Sequence, residues 1–226
     1  MGDINKPKRK TSAITKSRGE KNSQGQREAD LPKYARLVGF QNRVGIRRAE
    51  LGRVDGTDFK QDENGYWCVV VEKGKGGKSQ FERVLPKHLP FVRAYFDGAQ
   101  EKLFSREEMN NKIDLHSMRS AVAREAYDYY LKQCEEPALR EKLKQELVDR
   151  FCATNLSYRK SGFSPAILTK FKKEIEGTYK LKKGTIELAG EKGRPLVYDR
   201  TAVMMVSVFH LSHWRCDVTI RNYLLA

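Results

Sequence analysis

The most strongly strand-forming stretch in the chain is Tyr66-Trp67-Cys68-Val69-Val70-Val71, which is aromatic and β-branched and follows the turn pair Asn64-Gly65. Its isolation limits the possible folds. The glycine-rich stretch 74–77 turns the chain, Phe81 to Leu85 reads as the partner strand, and Pro86 ends it. A second, basic hairpin is expected over residues 178–198, with turns at Lys183-Gly184 and Ala189-Gly190.

Elsewhere apolar residues recur at helical spacing. Order is expected from Leu31, with Pro32 in a first turn and Tyr34, Leu37, Val38 and Phe40 on one side. A second helix is expected from Ile46 to about Val54, closed by the turn Asp55-Gly56. Asp114 is placed to cap a helix reaching about Cys134, with Leu115, Met118, Val122 and Tyr129 along one side. Further helices are expected over Glu136 to Cys152, from Ser164-Pro165 to about Glu176, and over Ala202 to Leu211. Asp217 is placed to cap a last short helix carrying Tyr223. The fold class expected is mainly α with small β-hairpins (α+β).

The chain has 226 residues, enough for one large domain or two small ones. Lys and Arg number 44 against 29 Asp and Glu, a net charge of +15 that points to a polyanionic partner. No apolar run approaches the ~20 residues of a membrane span. The N-terminus is basic but lacks the apolar segment of a secretory signal. Cys68, Cys134, Cys152 and Cys216 are far apart, which argues against a zinc site and for reduced thiols in a cytoplasm. Residues 1–30 hold eight Lys/Arg, four Asp/Glu and almost nothing to bury, so they are expected to form a disordered basic tail. Such a tail could contact phosphates or simply be solvated.

Gly77-Lys78-Ser79 brings a nucleotide-binding loop to mind, but that motif needs glycine at position 72, where the residue is Glu. What remains is a hairpin tip bearing Lys73, Lys75 and Lys78. It is either a solvated basic turn or a way of inserting a general acid toward DNA. His116 and Arg119 are three apart and lie one above the other on the expected helix, beside its buried stripe. Arginine stays charged and can donate two parallel hydrogen bonds to a phosphate. Arg47 and Arg48 follow a glycine in the second helix, with Glu50 near enough to orient one of them. Each of these also has an ordinary reading as a solvated helix edge, and Tyr223 as a core tyrosine.

Taken together and in order, these segments resemble the catalytic domain of the tyrosine recombinases, the integrases of phages and conjugative transposons. Gly45 to Leu51 resembles the first-arginine box, with Glu50 at its acidic position. Val69 to Leu85 resembles the β-hairpin whose Gly-Lys-Gly carries the catalytic lysine, here Lys75. His116 to Arg119 resembles the His-x-x-Arg box. Leu211-Ser212-His213 resembles Leu-Gly-His with Ser in place of Gly, and Tyr223 follows ten residues later at the nucleophile position. The resemblance implies cleavage and rejoining of double-stranded DNA by Tyr223. Arg47, Lys75, His116, Arg119 and His213 would assist, Glu50 would support, and Arg48, Lys73 and Lys78 would contact DNA generally. It implies no metal, no small-molecule cofactor, self-association on DNA as a tetramer, and a bacterial cytoplasmic location. Two other readings stay open: a type IB topoisomerase-like DNA relaxer and a catalytically impaired DNA-binding remnant.

The chain departs from the pattern in three places. Between Arg119 and His213 lie 93 residues, so about 134–198 reads as an insertion, as in integrases of some Gram-positive mobile elements. Only the tail precedes Leu31, so the N-terminal core-binding domain is expected to be missing. The segment after Tyr223, which relatives pack onto a neighbouring protomer, is expected to be almost absent.

Overall fold

The structure, a computed structural model, describes residues 27–72, 74, 79–158 and 164–226. The expected tail up to residue 26 and the hairpin-tip lysines Lys73, Lys75 and Lys78 lie outside the described residues. Within the expected tail, residues 27–29 are helical, Glu28 accepts the Lys112 backbone N–H at 2.6 Å, and Ala29 packs on the core.

The described chain is mainly helical with small antiparallel strand pairs. After a 3-10 turn over Pro32–Tyr34 come α1 (Ala35–Val44), α2 (Arg48–Leu51), β1 (Phe59–Gln61), β2 (Trp67–Val71) and β3 (Gln80–Arg83). Then follow α3 (Leu89–Arg93), α4 (Arg106–Met109), α5 (Leu115–Cys134), α6 (Pro137–Tyr158) and α7 (Pro165–Glu174). The chain ends with β4 (Thr178–Lys180), α8 (Lys183–Glu191), β5 (Val197–Asp199), α9 (Arg200–Phe209), α10 (Cys216–Thr219) and one π-helical turn over Ile220–Leu224. Strands β1, β2 and β3 form one sheet in that order, with Val69 opposite both Phe59 and Glu82. The β1 strand is an addition to the expected hairpin.

Two apolar cores meet along α5. One gathers Leu37, Phe40, Val44, Ile46 and Leu51 with Val69, Val71 and Leu115. The other gathers Ala123, Ala126, Tyr127 and Tyr130 with α9, Leu143 and Leu147 of α6, and the C-terminal residues Tyr223 to Leu225. The N-terminal half of α5 thus serves the first core and its C-terminal half the second. Asp114 caps this helix by accepting the His116 and Ser117 N–H groups at 3.1 and 3.0 Å.

The buried stripe of α5 differs from expectation. It runs through Leu115, Arg119, Val122, Ala126 and Tyr130, while Met118 and Tyr129 are only partly buried. Arg119 therefore sits on the stripe rather than beside it. Three other expectations are corrected. The second helix spans only Arg48–Leu51, because Gly45 (φ 71°) closes α1 in the left-handed region and Arg47 is extended. Lys183, Gly184, Ala189 and Gly190 lie within α8, so β4 and β5 pair antiparallel across a helix, not as a simple hairpin. Burial of Ala189, with Leu188 packed against the core, favours helical over alternating periodicity there. Finally, Arg215, not Asp217, occupies the N-cap of α10, and Asp217 lies in its first turn. No helix among the described residues is long and apolar enough to cross a membrane.

Candidate functional site

Arg47 stands at the N-cap of α2, and its extended backbone throws the guanidinium across the molecule. Nη1 donates to Glu50 Oε1 and Oε2 at 3.0 and 3.2 Å and to Gln80 Oε1 at 2.9 Å. Nη2 donates to the Leu211 carbonyl at 2.8 Å. One neighbour and two distant segments thus fix one guanidinium, which stays 25% exposed while Glu50 is buried.

Arg119 is only 1% exposed. Its Nη1 donates to the Gly45 carbonyl and its Nη2 to Glu82 Oε1 at 3.4 Å. The Gly45 contact depends on a close approach of chains. A Cβ at Gly45 would meet Val122 Cβ at 3.1 Å and the Arg119 Cα at 3.4 Å. Glycine there provides both the turn conformation and the room.

His116, Arg119 and His213 surround the ring of Tyr223. The His116 and His213 ring centroids lie 5.3 and 6.3 Å from that of Tyr223, and Arg119 Cζ lies 5.9 Å from it. Tyr223 is nearly buried, and the π turn that carries it is closed by Leu225 N–H donating to the Ile220 carbonyl at 2.9 Å. Such turns often mark functional positions. Arg124 Nη1 holds the segment by donating to the carbonyls of Tyr223 and Ala226 at 3.2 and 2.8 Å.

His213 follows Ser212, the one non-glycine described residue at positive φ (53°). Burial, reinforced by Arg119, Arg47 and Arg215, lowers its pKa to about 4, so the imidazole is neutral at pH 7. Both its ring nitrogens are buried without a hydrogen-bond partner among the described residues. A neutral imidazole in that state retains one donor and one acceptor.

A cleft of about 340 Å³ opens beside these groups, lined by Arg47, Arg48, Asp114, His116, Arg119 and the apolar Ile46, Ile113 and Leu115. Arg48 lines it with a committed guanidinium: it donates to the Met109 and Ile113 carbonyls and, at 3.0 Å, to Asn111 Oδ1. Its expected general contact to DNA therefore competes with structural bonds. The structure thus gathers Arg47, Glu50, His116, Arg119, His213 and Tyr223 at one place. Lys75, in the segment between β2 and β3, lies outside the described residues. Among the described residues no group of His, Cys, Asp and Glu is arranged to hold a metal.

Sequence reasoning missed Gln80, Glu82 and Ser212. Gln80 and Glu82 alternate on β3, so both side chains reach the arginine side of the sheet. The available signal was only that polar Gln80 and Glu82 alternate with Phe81 at strand spacing. Comparison with protein-family models, with curated proteins and with solved structures yields no match.

Proposed function

We propose that this chain is a tyrosine recombinase catalytic domain that cuts and rejoins DNA without a metal. The observation that carries the reading is the convergence of Arg119, His116 and His213 on one tyrosine ring from segments about a hundred residues apart. A core tyrosine needs none of these neighbours. The net charge of +15 supports a DNA partner.

In this mechanism the Tyr223 oxygen attacks a DNA phosphorus, and its proton passes to His116 acting as base. The P–O5′ bond breaks as the P–O(Tyr) bond forms, giving a 3′-phosphotyrosyl link and a 5′ oxygen that Lys75 protonates. Arg119 and Arg47 face the charge developing on the nonbridging oxygens. Glu50 and Gln80 orient Arg47, and His213 donates a hydrogen bond as a neutral imidazole. Rejoining reverses the step, with the 5′-hydroxyl as nucleophile and Tyr223 as leaving group. The phosphodiester energy is kept in the covalent link, so no nucleotide is consumed.

The test is an SDS-stable adduct on nicked suicide duplexes, drawn from a randomised pool, with Tyr223→Phe beside the wild type. An adduct with wild type alone is the expected result. Salt-sensitive DNA binding with no adduct from either protein would overturn the catalytic reading and leave a DNA-binding remnant. Relaxation of supercoiled plasmid without sequence preference would instead favour a topoisomerase.

A further inference from the structure

Glu82 is fully buried on β3, and one of its oxygens does two jobs. Oε1 accepts from Arg119 Nη2 at 3.4 Å and from Ser212 Oγ at 3.1 Å. Oε2 has no hydrogen-bond partner among the described residues. A buried carboxylate satisfied on one side only is costly, and packing alone would be served better by an apolar side chain. Its two donors come from different segments of the chain. Arg119 belongs to α5, while Ser212 immediately precedes His213 in the loop after α9.

That loop is strained. A left-handed conformation is unfavourable for a non-glycine residue, and Ser212 holds it at φ 53°. Three bonds hold the turn: Ser212 Oγ to Glu82, His213 N–H to the Ser207 carbonyl at 2.8 Å, and Arg47 Nη2 to the Leu211 carbonyl at 2.8 Å. Strain held by surrounding contacts is a mark of a functional turn. The two arginines are also each provided with a carboxylate, Arg47 with Glu50 and Arg119 with Glu82.

We infer that Glu82 is a positioning residue that sets Arg119 and His213 in register, by binding the Arg119 guanidinium and the Ser212 hydroxyl through one oxygen. The inference rests on the proposed roles of Arg119 and His213. Glu82 touches neither DNA nor the reacting atoms. It acts by fixing the direction of one guanidinium and the turn that presents one imidazole. A misplacement of about 1 Å in such groups is enough to cost about a hundredfold in rate.

The test compares wild type, Glu82→Gln and Ser212→Ala in the full chain. Three quantities are measured: affinity for a duplex at fixed salt, the single-turnover adduct rate at saturating suicide duplex, and the Arg119 Nε–H and His213 ring signals by NMR. Arg119→Lys and His213→Asn assign those signals. Glu82→Gln is expected to leave affinity within about twofold, because phosphate contacts supply it. It should slow the adduct step by about thirtyfold or more, the scale of a disturbed charge-stabilising group, and shift both NMR signals. Ser212→Ala should slow the step by a smaller factor and shift His213 more than Arg119. A wild-type rate with unmoved signals in Glu82→Gln overturns the inference. If Glu82→Gln does not fold, Ser212→Ala decides on the same criteria. If the wild type itself forms no adduct, the proposed function fails, and the NMR signals still decide the positioning: unmoved in both variants, they overturn it.

Discussion

At the scale of single residues, burial decides what each charge can do. Arg119 is enclosed with Glu82, so the two cannot be altered independently. Arg119→Ala should abolish adduct formation and keep most nonspecific DNA affinity. It should also lower stability by about 3–5 kcal/mol, the cost of stranding a buried charge. Adding Glu82→Gln should recover part of that loss in urea melts; a double variant no more stable than the single one would show that the carboxylate is not the stranded group. The histidines give a pH prediction. Burial, followed by nearby arginines, lowers His213 to about 4 and His210 to about 3. Both pKa values lie below the unfolded value of about 6.5, so between these limits the unfolded chain binds more protons and stability rises with pH. Their full contribution is present above pH 6.5 and is lost as pH falls toward 4 and 3. Melting temperature should fall from pH 7 to pH 5, and His213→Asn should flatten that fall. An identical slope in the variant would remove His213 from the account.

At the scale of elements, the corner between α1 and α2 sets the geometry of the arginine pair. Gly45 ends α1 in the left-handed region, exposes its carbonyl to Arg119, and leaves Arg47 extended. Gly45→Ala combines an unfavourable φ with a Cβ pressed on Val122 and on the α5 backbone. A destabilisation of about 2–4 kcal/mol is expected, with a larger loss of cleavage than of DNA affinity. Chemical denaturation checks the first part; an unchanged midpoint would mean that α5 yields easily and does not fix Arg119. The same logic places Gln80 and Glu82. Strand alternation sends them to the arginines and sends Arg83 to the opposite face.

At the scale of the whole molecule, Arg83 ties the segment expected as an insertion to the central sheet. It is 1% exposed, bonded through Nε to Asp62 at 2.7 Å and through Nη1 to Glu146 of α6 at 2.9 Å. Its guanidinium lies 3.6 Å from the Phe209 ring centroid and 3.9 Å from that of Tyr66. Residues of α6 also contribute to the second core. The segment is therefore part of the folded body, not an appendage on its surface. Glu146→Ala should destabilise the entire protein by about 3 kcal/mol in a single cooperative transition; a separate early transition would show that α6 to β5 melts independently. DNA affinity should fall steeply and linearly in log–log salt titrations, and a flat response between low and physiological salt would contradict a phosphate-binding surface.

Much of the local structure was legible in the chain. The strand at Trp67–Val71, the Asp114 cap, Pro137 at the start of α6 and the helical spacing of α9 all depend on near neighbours, and the structure has them. The order of the arginine, histidine and tyrosine segments was also readable, and those described lie together. The sequence by itself could not decide which polar groups are buried. Arg119 lies in the α5 stripe only because the Gly45 carbonyl and Glu82 arrive from segments 74 and 37 residues away. Gln80, Glu82 and Ser212 join the site for the same reason, as did the helix within the expected 178–198 hairpin, where packing overrode the turn signals of two glycines. Hydrophobic period and capping act within a few residues and are written locally. The burial of a charge is favourable only when its partners are in place, and those partners are supplied by the tertiary fold.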